Sequence, residues 1–205
     1  MTDAAENRGL LSALEAIAAD TGEEGCTLGE FVDALGERAF GIILFAMALP
    51  VSIPFLYGVP QIMSLPMMAL SAQMAMGRDE PWLPARFKAR RLSKAGLDRM
   101  ARSGRKWFGW LEALARPRLS FLSGPSAERA IGVIFMIFCA SILVPLPATN
   151  TTPGIALAIA ALGLLTRDGL LIIAGLILGL VWITLLLVFG YAMIDIAKDF
   201  LRSLV

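Results

Sequence analysis

Two long uncharged stretches, each broken in its middle by proline, constrain this chain more than any other feature. Residues 40–77 run 38 positions without a charged side chain, residues 130–166 run 37, and residues 169–194 run 26. A membrane-crossing helix needs about 20 apolar residues. The third stretch meets that as one span, with Trp182 and Tyr191 as interface or packing aromatics. The first two do not. Proline removes a backbone donor and clashes with the preceding helical turn. Pro54 and Pro60 interrupt the first stretch; Pro145, Pro147 and Pro153 interrupt the second. The arms on either side, 40–52 with 62–76 and 130–144 with 155–165, are each roughly 11–15 residues, about 16–23 Å as helix. A hydrocarbon core is about 30 Å thick. The expectation is therefore an all-α integral membrane protein with two proline-broken helical hairpins and one long C-terminal transmembrane helix. Re-entrant hairpins are favoured over short tilted spans that turn at the far surface.

The second break reads LVPLPATNTTPG, with four consecutive polar residues at 149–152. Unwound backbone in hydrocarbon must find hydrogen bonds within the protein or a wet cavity. Asn150 and Thr151, with Thr149 and Thr152, could supply them beside Ser52, Tyr57 and Gln61. An ordinary surface turn would use the same residue types, so the two readings differ in depth.

The hairpins resemble each other. FGIILFAMALPVSIP (40–54) aligns without gaps to IGVIFMIFCASILVP (131–145), pairing Gly41 with Gly132 and Pro54 with Pro145. After a two-residue slip, LSAQMAMGRD (70–79) aligns to IAALGLLTRD (159–168). Both hairpins then end in Arg-Asp, at Arg78-Asp79 and Arg167-Asp168. Repeats of this kind often flank a site. If so, Gly41 and Gly132 should mark close approaches between the two hairpins.

Charge sets the expected orientation. Residues 1–40 carry nine acidic and two basic side chains, whereas residues 78–129 carry thirteen basic and five acidic. The near-neutral total of +1 hides that division. By the positive-inside rule the basic linker is cytoplasmic. Both hairpins then start and finish on that side, as parallel repeats, and the C-terminus is periplasmic. The expected organisation is an acidic amphipathic head (1–39), hairpin one (40–79), a basic aromatic linker (80–129), hairpin two (130–168), and a transmembrane helix with its tail (169–205). The first 25 residues show no cleavable signal. Leu10, Leu11, Leu14, Ile17 and Ala18 form one helical face, and TLGE (27–30) has the form of a capping box before Phe31, Val32 and Leu35. Trp82, Phe87, Trp107, Phe108 and Trp110 among the linker's basic residues suit a headgroup interface. With membrane segments on both sides, the linker is read as facing lipid, not nucleic acid.

With no histidine in the chain, the usual catalytic triads and His-ligated zinc sites are excluded. Cys26 and Cys139 read as separate structural thiols. No metal-ligand cluster, nucleophile–base pair or glycine-rich phosphate loop is visible, so neither an enzyme nor a cofactor is expected. Candidate substrate-binding residues are Arg38, Gln73, Arg78, Asp79, Asn150, Thr151, Arg167 and Asp168. Partners are the bilayer and either an anionic lipid or a polyprenyl-linked intermediate. Small residues in GIALAIAALG (154–163) also permit homo-oligomer contacts.

The stretches TLGEFVDALGERAFGIILFAMALPVSIP, GVPQIMSLPMMALSAQMAMGRDEPWLP and RRLSKAGLDRM resemble the exopolysaccharide synthesis protein ExoD family. The likeness runs from about Thr27 to the last helix and includes VPLPATNTTPG. Its most specific part is Gly-Arg-x-x-Pro-Trp-Leu-Pro at 77–84. The resemblance implies a bacterial inner-membrane protein connected with exopolysaccharide production and implies no catalytic residue. The expected role is handling or translocating a lipid-linked or anionic intermediate. An ion transporter and a non-transporting scaffold are the alternatives. The proton-relay form of the former is weakened because the hairpins hold no ionisable side chain within their membrane stretches.

Overall fold

The computed structural model describes residues 21, 25–36, 38–56, 58–99, 102, 119–144 and 149–203. The expected head helix at 10–18, Tyr57, Trp107, Phe108, Trp110, Pro145 and Pro147 lie outside these. Within them the chain is mainly helical: α1 (Leu28–Leu35), α2 (Arg38–Val51), α3 (Val59–Ala75), α4 (Pro125–Leu143), α5 (Thr151–Thr166) and α6 (Gly169–Ser203). A short helical turn at Ala85–Lys88 and a 3-10 turn at Ser120–Ser123 serve the connections. The all-α expectation is corrected in one place. Cys26–Thr27 (β1) and Arg91–Leu92 (β2) pair antiparallel, tying the linker to the start of α1.

Helix α1 begins on the expected capping box. The Glu30 N–H donates to Thr27 Oγ1 at 3.2 Å, and the Thr27 N–H donates to Glu30 Oε2 at 2.7 Å. The Thr27 backbone N–H holds the Glu30 carboxyl below its ordinary range. Phe31, Val32 and Leu35 are buried with Ala39 and Leu97 in a small cluster beside the start of α2.

The hairpin arms are longer than expected at 14, 17, 19 and 16 residues. Proline explains part of the difference. Pro60 and Pro153 lie in the first turns of α3 and α5, where the missing N–H has no helical partner to lose. Only Pro54 sits in the described part of a break. Helix α4 starts five residues before the expected arm, at Pro125, and carries Glu128 in its first turn. Two helices, Pro125–Leu143 and Gly169–Met193, are long and apolar enough to cross a membrane.

The arms pack more on arms of the other segment than on their own partner. Helix α2 lies along α5 and α3 lies along α4, while arms of one hairpin meet less. Glycine permits these contacts. A Cβ on Gly41 would stand 3.3 Å from Ala161 O and 3.4 Å from Leu165 N. One on Gly132 would stand 2.8 Å from Ser71 O and 2.6 Å from Ala75 N. Both glycines thus face the carbonyl of residue i and the nitrogen of residue i+4 on the opposite hairpin, as the sequence pairing anticipates.

Helix α5 is buried on nearly all sides, from Pro153 to Leu165, because its other flank carries α6. Gly163 receives Ile172 of α6, and Gly175 of α6 receives Ala156 and Ala160. Phe135, Phe138, Leu44, Met67, Ile142 and Leu157 fill the space between the arms. Past the hairpin, Leu187, Val188, Phe189, Tyr191 and Met193 of α6 are exposed.

Gly132→Ala is expected to destabilise the protein by about 1–3 kcal/mol, because the new Cβ meets immovable backbone. Gly190→Ala, where nothing lies within 4 Å, should not destabilise it. Thermal melts of both variants in detergent provide the comparison. Equal tolerance would mean that the α3–α4 contact is not close-packed.

Candidate functional site

The lower ends of the arms, where the charged residues resume, form the base of the molecule. Two adjoining cavities open there, of about 20 and 230 Å³. Arg38 and Arg167 line the smaller, Arg78, Asp79 and Arg167 the larger, and Met74, Ser123 and Glu128 belong to both. Four of the sequence candidates therefore share one place, although 129 residues separate Arg38 from Arg167.

The remaining candidates do not join them. Asn150 and Thr151 begin α5, at the opposite end from Arg167, about 25 Å away by helical rise. Asn150 is buried, and its Oδ1 has no hydrogen-bond partner. Next to it, Thr149 O accepts from Trp182 Nε1 at 3.2 Å, and Gly154 packs on Val51 and Ser52 at the end of α2. Asp168 is buried at the start of α6, where its Oδ1 accepts from the Leu170 N–H at 3.0 Å. It is a helix cap. Gln73 is a loop clasp. Its Oε1 accepts from the Trp82 N–H at 2.5 Å, and its Nε2 donates to Trp82 O at 3.2 Å. That fixes the stretch 77–84 against the last turn of α3.

The Arg-Asp pairing needs a correction of one residue. Helix α3 ends with the Arg78 N–H donating to Gln73 O at 3.2 Å, and α5 ends with the Asp168 N–H donating to Gly163 O at 2.9 Å. Arg167 therefore occupies the place of Gly77, and Asp168 that of Arg78. Both first members are left-handed, with φ of 75° for Gly77 and 52° for Arg167. Glycine takes that conformation freely, whereas another residue incurs about 1–2 kcal/mol.

Three residues at the base escaped the sequence reading: Ser123, Glu128 and Arg129. The Ser123 hydroxyl is buried without a partner. A Cβ on Gly77 would collide with the Arg129 guanidinium, so Arg129 lies across that glycine. A signal for two of them was present. Extending the first-arm alignment by three residues pairs Glu37-Arg38-Ala39 with Glu128-Arg129-Ala130. No sequence pattern singles out Ser123.

Arginine presents N–H donors in a fixed fork that suits phosphate and carboxylate oxygens. The larger cavity, bordered by Arg78 and Arg167 with the unpartnered Ser123 hydroxyl on its wall and Arg38 in the adjoining one, can hold a small oxyanion.

Comparison with known proteins agrees with the resemblance in the sequence. The family described as "Exopolysaccharide synthesis, ExoD" matches residues 10–188. Protein ExoD of Rhizobium meliloti is 30% identical over 190 residues, covering 90% of this chain and 79% of its own. The Synechocystis sp. protein slr1875 is 30% identical over 177 residues, covering 81% and 82%. No solved structure matches the chain.

Gln73→Leu should release the 77–84 stretch from α3 while leaving the buried helix contacts intact. Limited proteolysis is expected to cut between residues 78 and 90 faster in the variant, with an unchanged helical circular dichroism signal. Unchanged cleavage would show that the clasp is dispensable.

Proposed function

Because the chain belongs to the exopolysaccharide synthesis ExoD family, we propose that it is an inner-membrane protein that holds the anionic group of a lipid-linked intermediate in the cavity at its base. One observation carries this reading: Arg38, Arg78 and Arg167, distant in sequence, border the same pair of adjoining cavities. The backbone of Arg167 adds to it. A non-glycine residue in the left-handed region is a strained choice, and such strain gathers at functional sites. The phosphate of a polyprenyl carrier matches the donors in size and charge, and its apolar chain matches the surrounding helices.

The proposed setting is the cytoplasmic membrane, with the linker 80–129 and the base on the cytoplasmic side. The hairpins are then parallel repeats that stop near mid-membrane. The hydrogen bond from Trp182 to Thr149 supports that depth. It sets the second tip about 20 Å along α6 from Gly169, with a further 18 Å or so of apolar helix beyond it, up to Ile194. A second reading, an ion site at the tips, rests on the buried and unpartnered Asn150 Oδ1.

In phosphatidylcholine nanodiscs, polyprenyl phosphate should bind the wild type and should bind Arg78→Gln and Arg167→Gly at least about tenfold more weakly, the loss expected for a charge-assisted hydrogen bond. Arg167→Gly also relieves the left-handed strain, so a fold defect will not account for its loss. Undiminished binding in both variants would refute the site. Depth has its own measurement. Ser93→Cys should react with an impermeant thiol reagent only from the cytoplasmic side, and Asn150→Cys should resist it from both. Rapid periplasmic labelling at Asn150→Cys would make the tip a surface turn.

A further inference from the structure

The base cavity lies on a seam. Helix α5 packs along both α2 and α6, and α3 packs along α4, with sparser contacts between the two sets. The hairpin arms thereby redistribute into two units, each holding one arm from each hairpin. The cavity walls divide along the same line. Arg38 and Arg167 belong to the first unit. Arg78 follows α3 and Glu128 lies in the first turn of α4, so these belong to the second, while Ser123 ends the 3-10 turn that touches both α4 and α6.

We propose, resting on the reading of the cavity as an oxyanion site, that a phosphate group binds across this seam and draws the two units together at the base. Its oxygens accept from Arg38 and Arg167 on one side and from Arg78 on the other, with the Ser123 hydroxyl between them. The chemical class is a phosphate monoester or free phosphate, which offers several oxygens in different directions. Glu128 lines both cavities. Its carboxylate repels the incoming anion and competes for the same N–H donors.

A ligand moves a conformational equilibrium only by its differential affinity for the two states. A ligand with donors on both walls has that difference, because it is fully coordinated only when the walls approach. Inward of the cavity, Phe40, Met74 and Leu165 are buried and close the path to the tips. Most buried side chains beyond are apolar, and Ser64 and Ser71 return their hydroxyls to the carbonyls of Gln61 and Met67. Relative movement of the two units is therefore the route by which a bound headgroup would reach further in.

Pulsed electron resonance on the full chain in phosphatidylcholine nanodiscs tests the bridge. Spin labels at Met76→Cys and Ile177→Cys, both exposed sites, report across the seam. Labels at Ile62→Cys and Val133→Cys, also exposed, both lie in the second unit and serve as the control. Cys26→Ser removes the accessible native thiol. Polyprenyl monophosphate should shorten the first distance and leave the second unchanged. Arg78→Gln should abolish the shortening, and Glu128→Gln should produce it at several-fold lower ligand. The same shortening with inorganic phosphate alone would support the bridge and assign it to a soluble anion; shortening with the lipid alone assigns it to the headgroup. Lipid binding that is lost in Arg78→Gln but leaves the first distance unchanged overturns the bridge while the site stands. Absence of binding by either probe removes both.

Discussion

The close approach of helix backbones at glycine is the contact on which the rest of this architecture depends. Between helices in lipid the hydrophobic effect offers little, so association relies on packing and on small residues that bring backbones together. Gly132 admits Ser71 and Ala75, Gly41 admits Ala161 and Leu165, and Gly175 admits Ala156 and Ala160. The first two contacts join helices distant in the chain, and the third joins the consecutive helices α5 and α6. The breaks at the tips then have a simple role. They separate the helices that then pack on partners from the other segment.

That exchange of partners also decides where a cavity can form. Arg38 opens α2 and Arg129 lies early in α4, each beside the end of the opposite second arm. At one of these junctions Arg129 lies over Gly77, which has no side chain to obstruct it. At the other the equivalent position is Arg167. The side chains of Arg38 and Arg167 instead border the smaller cavity. Arginine in place of glycine at a left-handed position distinguishes the two junctions.

The sequence displayed the apolar segments, the capping box at Thr27, and the two glycines where the hairpins touch. It displayed them because each has a local cause: an uncharged run, a fixed Ser/Thr-x-x-Glu spacing, a residue without a side chain. Helix ends were less legible. Pro60 and Pro153 read as breaks, yet a proline in the first turn starts a helix as readily as it ends one. The convergence of Arg38, Arg78 and Arg167 was anticipated only as a set of candidates, since pairing between distant arms is a tertiary fact. Asp168, Gln73 and Asn150 were grouped with them by residue type. Their positions assign them to a helix cap, a loop clasp and the far tip.

The one-residue shift between Arg78-Asp79 and Arg167-Asp168 shows how such grouping fails. Matching dipeptides suggested equivalent side chains. Backbone hydrogen bonds at the ends of α3 and α5 give a different register, in which the carboxylate of Asp168 sits where hairpin one carries Arg78. In hairpin two that carboxylate turns to the first turn of α6, where exposed N–H groups favour a negative charge. Hairpin one has no such helix following it, and Arg78 instead borders the larger cavity. The start of α6 thus explains why an acid stands at one junction and a base at the other. The need to begin the last helix there fixes which side chain stands at each junction.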